Sequence, residues 1–205
     1  MIEEVNERLV HRDEDGYSVI ELLIIAAVVV ILTGLSVFTL APQQRAYRTD
    51  DAAGQITNFM RDAYHRALSQ RQTMRVQVDR SNMVVTITDE GTLPGGDEVE
   101  VRRAKLSNEI SVNQPTVSSA LLNPPAAPYN YAVATYTTNI WTARFRSDGS
   151  VVDTAGNSMS ATLFVSVANM KTTETNLIRA ITVFGPSGSI RVWRYNGASF
   201  DAGAN

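Results

Sequence analysis

The sequence predicts an α+β fold: a long N-terminal helix, membrane-spanning in its first half, packed on an antiparallel β-sheet or β-sandwich domain. Three observations lead there. The run Tyr17 to Ala41 is apolar and holds a single charge, Glu21. A stretch with helical spacing of its apolar residues follows. Beyond Gln72, short alternating segments are separated by turns rich in Gly, Pro, Ser and Asp.

Length and charge set the bounds. The chain has 205 residues, so one membrane span leaves room for one modest domain. The formal net charge is −3. The leader, residues 1–16, is acidic, with Arg8 and Arg12 against Glu3, Glu4, Glu7, Asp13, Glu14 and Asp15. Setting it aside leaves 16 basic and 15 acidic residues, which excludes a global pull towards nucleic acid or an anionic membrane. With no cysteine, the chain has no disulfide framework and no thiolate chemistry.

As a helix, residues 17–41 would measure about 37 Å at 1.5 Å per residue, enough to cross a hydrocarbon core of roughly 30 Å. The plainest reading is a single anchor. A secretory signal would need a positive n-region and a small-residue cut site, which this acidic leader lacks. Glu21 asks for more than an anchor. A carboxylate at the centre of a membrane helix costs about 2.5–3.5 kcal/mol, and less near an end. It therefore calls for a partner. Arg45 and Arg48 follow the span, so charge flanks alone place the C-terminal domain in the cytoplasm.

The stretch Gly16-Tyr17-Ser18-Val19-Ile20-Glu21-Leu22 resembles the class III signal of type IV prepilins and pseudopilins. The resemblance implies that a prepilin peptidase cuts between Gly16 and Tyr17 and methylates the new terminus. It implies that Glu21 pairs with the N-terminal amine of a neighbouring subunit, since a buried amine and a buried carboxylate are costly singly and much less so together. It also implies a single-pass inner-membrane protein with its domain outside the cytoplasm, in the periplasm, before entry into a filament. That topology outranks the charge flanks. Two departures stand out: Asp13-Glu14-Asp15 lies where the family carries positive charge, and Tyr17 stands where it has Phe.

Residues 42–70 read as an amphipathic continuation of the helix, with Pro42 or Gly54 as bend points. Ile56, Phe59, Met60, Ala63, Ala67 and Leu68 form one face, and Asn58, Arg61, Asp62 and His65 the other. Residues 71–195 read as a β-rich domain of about eight short strands. Thr73–Asp79 and Asn82–Thr88 flank Arg80-Ser81 as a hairpin. Asp89–Asp97 is a turn region, and Glu98–Arg102 alternates strictly. Lys105–Ala132 holds four of the seven prolines and reads as an irregular covering loop. Ile140–Arg146 follows, then the turn Ser147–Ser150, Ala161–Val167, Leu177–Phe184, the turn Gly185–Gly188 and Ile190–Tyr195. Residues 196–205 read as a loose tail.

Phe145-Arg-Ser-Asp-Gly149, followed by Ile181-Thr-Val-Phe-Gly-Pro-Ser-Gly-Ser-Ile-Arg-Val192, resembles the GspH/FimT family, the minor pseudopilins of type II secretion and minor pilins of type IV pili. The resemblance implies a structural subunit acting in filament assembly or at its tip. It also implies an alternative, a DNA-binding minor pilin acting in DNA uptake.

The candidate site residues follow. No catalytic constellation is present: His11 lies in the leader, His65 on the polar helix face, and no motif brackets a serine as nucleophile. Asp89-Glu90 and Asp97-Glu98-x-Glu100 are acidic clusters without calcium-loop spacing, best read as a solvated hairpin end. No metal and no cofactor is assigned. For nucleic acid, alternation puts Arg191, Trp193 and Tyr195 on one face of the last strand and Ile190, Val192 and Arg194 on the other. Arg144 and Arg146 oppose Trp141, Ala143 and Phe145. Arginine beside aromatics suits single strands and phosphates. FimT-like members carry Gly-Arg-x-Arg here, whereas Gly188-Ser-Ile-Arg191 lacks the first arginine. An ordinary hairpin packed by Trp193 is the preferred reading. The expected partners are other pilin subunits through the N-terminal helix, the prepilin peptidase and the inner membrane.

Overall fold

The structure, a computed structural model, describes residues 18–94, 96, 98–113, 132–133 and 139–202. The chain divides into two compact units, Met1–Ala41 and Pro42–Asn205. Helix α1 (Val19–Gln70) begins in the first and ends in the second, and its helical pattern continues through Pro42 and Gly54.

Within the first unit, Val19–Ser36 is long and apolar enough to cross a membrane, and none of it is buried. Leucine, isoleucine and valine face outwards on all sides of the helix. A helix apolar all round is stable only in an apolar surrounding. The hydroxyls of Thr33 and Ser36 bond back to the carbonyls of Val29 and Leu32, so these two side chains are satisfied within the helix.

The second unit is built on residues 42–70 of α1. Its buried stripe runs Thr49, Ala52, Ala53, Ile56, Phe59, Met60, Ala63 and Ala67, at three- and four-residue steps. The expected stripe gains a turn at its start and loses Leu68, which is exposed. The helix stops at Gln70 because Arg71 adopts φ +56°, a left-handed conformation that ends helices.

Among the described residues eleven strands follow, in two sheets. The first sheet runs β3 (Val99–Lys105), β2 (Val84–Asp89), β1 (Met74–Asp79), β6 (Ile140–Phe145), β7 (Val151–Val152), all antiparallel. The second runs β11 (Phe200–Ala202), β10 (Ser189–Tyr195), β9 (Arg179–Phe184), β8 (Ala161–Val167), β4 (Ile110–Ser111). β5 (Ala132–Val133) pairs with β8 in parallel. One core joins α1 to both sheets. It takes Val76 and Val78 from β1, Ile87 from β2, Phe145 from β6, Leu163 and Val165 from β8, and Ile181 and Val183 from β9. A smaller core lies on the other face of the second sheet: Phe164, Ile178, Ala180, Trp193, Tyr195 and Phe200. β8 is consequently buried on both faces.

Several expected elements come out differently. The first hairpin turns over four residues, not two, because Asp79 pairs with Val84. The Asp79 carboxylate accepts from the amides of Ser81 and Asn82, and Met83 takes φ +53° to close the turn. The expected alternation over Glu98–Arg102 is broken by a β-bulge: the register with β2 shifts between Ile87 and Thr88, leaving Val101 as the extra residue. The stretch 105–132 is not wholly irregular. Leu106, Ile110 and Val112 are buried, and β4 pairs with β8; residues 114–131, with the four prolines, lie outside the described residues. Residues 196–205 are not a loose tail throughout. Asn196 accepts from the amides of Ala198 and Ser199, Gly197 takes φ +99°, and β11 folds back on β10 so that Phe200 packs on Tyr195.

The two motifs quoted for the C-terminal resemblance meet in space. Gly149 and Gly188 close the turns after β6 and β9, with φ of +83° and +63°. A Cβ on Gly188 would stand 2.4 Å from the Gly149 carbonyl oxygen and 2.8 Å from the ring of Tyr64 on α1. Both turns thus close onto one helix tyrosine, whose ring also meets Phe145 edge-on. Gly188→Ala adds left-handed strain to this clash, and should destabilise the domain by roughly 2–4 kcal/mol. Gly54→Ala meets nothing within 4 Å and should stabilise it by about 0.5–1 kcal/mol. Urea melts followed by the fluorescence of Trp141 and Trp193 check both.

Candidate functional site

The candidate residues fall into three places. Gly16 and Tyr17 lie outside the described residues. Glu21 sits in the first turn of α1, exposed, where the helix dipole favours a carboxylate. Among the described residues no ion pair reaches it. From Val19 to Ser36 it is the one ionisable side chain.

The second place is the first sheet's outer face. Arg75 on β1 and Arg144 on β6 are direct cross-strand neighbours. Like charges so placed repel. What holds them together is Glu90, fully buried just past the end of β2. Arg144 Nε donates to both its oxygens, at 3.2 and 3.1 Å, and Arg75 Nη1 lies 2.9 Å from Oε1. Arg75 Nη1 also reaches Glu98 at 2.5 Å. The hydrogen bond to Glu98 raises the Arg75 pKa; burial opposes the rise, and the charges of Glu90 and Glu98 reinforce it. The same bond holds Glu98 below the usual carboxylate range. The loop carrying Glu90 is anchored by backbone bonds from Thr73 N to Gly91 O and from Glu90 N to Thr73 O. The expectation of a solvated hairpin end is therefore corrected at Glu90, which neutralises two arginines inside the protein. Among the described residues no group of acids and histidines has metal-site geometry.

The third place is β10 and the start of the domain's helix. Trp193 is buried in the smaller core, and its Nε1 donates to Thr182 Oγ1 at 2.8 Å. Its ring is not presented to a base. Arg194 Nη2 lies 3.0 Å from Asp50 of α1. The other Asp50 oxygen takes Arg179 Nε at 2.5 Å. Arg179 is itself 3% exposed and donates to the carbonyls of Asn176 and Ile178. Two further pairs tie α1 to the β-domain nearby, Arg45 to Glu174 at 2.5 Å and Arg48 to Glu109. Arg146 and Arg191 are exposed, without an ion pair among the described residues. The five arginine and tryptophan candidates are therefore not one patch. Arg144 and Arg194 are spent on acids and Trp193 on packing.

Sequence reasoning missed Glu90, Asp50 and Arg179 as structural ions. The one available signal was the pair of arginines in adjacent strands, but reading it needs the register, which the sequence alone leaves open. His65 is exposed, as its place on the polar helix face implied.

No family model matches the chain, and no curated protein matches it. Among solved structures it is similar to the type IV minor pilin FimU of Pseudomonas aeruginosa PAO1 in two crystal forms. Identities are 12% and 13%, with TM-scores of 0.45 and 0.43, over 80% and 74% of this chain and 96% of that one. It is also similar to EpsH, the minor pseudopilin of the type 2 secretion system of Vibrio cholerae, at 13% identity and a TM-score of 0.42, over 69% of this chain and 94% of that one.

Proposed function

We propose that this chain is a minor pilin-like subunit of a type II secretion or type IV pilus filament, with a structural role in assembly or at the tip. One observation carries the reading. The same helix is wholly exposed and apolar over Val19–Ser36 apart from Glu21, and supplies the buried spine of a folded domain over Thr49–Ala67. A membrane surrounds the apolar stretch before assembly, and other subunits surround it afterwards. In this reading a prepilin peptidase cuts between Gly16 and Tyr17 and methylates Tyr17. The inner membrane holds the precursor, and the domain lies outside the cytoplasm. The partners are other pilin-like subunits, and no catalytic role is assigned.

Glu21 then serves assembly. A carboxylate in an apolar span, without a partner among the described residues, finds one in the amine of a neighbour. DNA uptake has less support from the geometry, because Trp193 is packed inside and Arg144 and Arg194 are already paired. Glu21→Ala should leave the domain's urea midpoint and the membrane fraction unchanged, and cut incorporation into filaments about tenfold or more. Quantitative blotting of sheared filaments against total membranes reads this. Unchanged incorporation would show that Glu21 does not pair with a neighbour's amine.

A further inference from the structure

The edge of the first sheet carries a charge pattern that neither the helix nor the core requires. Among the described residues β3 pairs only with β2, and no strand lies along its other edge. The strand is exposed, with Val99 61% accessible. Open edges attract further strands unless something blocks them. Here the bulge decides what a partner meets. Simple alternation would put Glu98, Glu100, Arg102 and Ala104 on one face and Val99, Val101, Arg103 and Lys105 on the other. With Val101 as the extra residue, Arg103 faces the partner position of Thr86, and Glu100 that of Thr88. Thr86 and Thr88 line the same outer groove as Glu98, Glu100 and Arg103. Lys105 pairs with Val84, which lines it too. Val101 and Ala104 turn inwards to the core, and Arg102 lies over the Phe59 ring at 4.4 Å and reaches Asp62 at 3.1 Å. The bulge therefore gathers two acids and two bases on one face, with the acids in the first half of the strand and the bases in the second.

We propose that the open edge of β3 pairs antiparallel with β3 of a second copy of this chain, about a two-fold axis between Val101 and Arg102. That register sets Glu100 against Arg103 of the other copy and Glu98 against Lys105, each twice by symmetry. Four cross-strand opposite-charge pairs then lie on one face. A parallel copy, or a one-residue slip, loses them. The acids and bases are half-exposed in the single chain, where Arg103 bonds Glu100 at 2.6 Å and Arg75 bonds Glu98. They are within reach of a second strand without unburying any group. The proposed contact uses residues of β3 and the adjoining Glu98, and does not depend on the filament reading.

The chain has two lysines, Lys105 and Lys171, which makes a zero-length carbodiimide cross-link diagnostic. Full-length protein in detergent should give a dimer whose cross-linked peptide joins Lys105 to Glu98 or Glu100. Glu98→Lys with Glu100→Lys makes the face wholly basic, and Arg103→Glu with Lys105→Glu makes it wholly acidic. Each double variant alone should lose about tenfold or more of the dimer. Mixing the two should restore it, which also shows that both are folded. No Lys105 cross-link in the wild-type chain overturns the proposal. So does a dimer that survives in either variant alone, or a mixture that fails to recover it.

Discussion

Glu90→Gln should destabilise the domain by about 3–5 kcal/mol, among the largest effects of any single side chain here. The substitution keeps size and shape, so packing does not explain the loss. It removes the one charge that lies between Arg75 and Arg144, whose side chains are 9% and 14% exposed. Two cross-strand guanidiniums are then left facing each other with little water to screen them. Glu98 compensates little. It is half-exposed, its one ion pair among the described residues is with Arg75, and its own replacement by Gln should have a much smaller effect. A urea melt of the detergent-solubilised chain, followed by Trp141 and Trp193, should show a lower midpoint at unchanged slope. Arg75→Met combined with Arg144→Met in the Glu90→Gln background should recover part of the loss, because a hydrophobic replacement of a complete buried ion cluster is often close to neutral.

Asp50→Ala should cost about the same, roughly 3–5 kcal/mol, and for a related reason. Arg179 is 3% exposed and keeps two carbonyl acceptors after the change, but loses its only carboxylate among the described residues. Arg194→Ala removes the other partner of Asp50. That arginine is 60% exposed, so its removal should cost no more than about 1 kcal/mol. The contrast between the two measures burial, since both guanidiniums contact the same carboxylate. If Arg194→Ala proves as costly as Asp50→Ala, the buried arginine is not the source of the effect.

These two ion clusters also mark the limit of what the sequence makes legible. The helix is read from residues within one turn of one another, and its extent, its apolar half and its Ile56–Ala67 stripe all emerge at that range. So do the alternating strands Met74–Asp79 and Ser189–Tyr195 and the mostly apolar run Ala161–Val167. What fails depends on contacts distant in sequence. Glu90 looks like a turn residue beside Gly91, and its burial comes from Arg144, 54 positions away. Asp50 meets residues 129 and 144 positions away. The bulge at Val101 is invisible in a strictly alternating segment, because it is set by pairing with β2. The return of residues 200–202 to the sheet is signalled only by Asn196-Gly197, a strong turn pair read as the start of a tail. Trp193 and Arg194 suggest a surface until the fold supplies Thr182 as the acceptor for the indole and Asp50 as the partner of the guanidinium.

The structural reading of the glycine motifs follows the same pattern. Gly149 and Gly188 are recognisable as turn residues from the sequence. That both turns close on Tyr64 is a property of the packed helix. A motif that resembles a functional signature thus has a sufficient cause in packing. Arg191, three residues beyond Gly188, is exposed on β10.

We propose that this chain is processed and assembled as a pilin-like subunit. Mass spectrometry of the mature N-terminus of the protein purified from its own membranes tests it most directly. The expected result is a terminus at Tyr17 carrying one added methyl group, with Met1–Gly16 removed. An intact Met1, or a cut beyond Ala41 that removes the apolar helix, would contradict it.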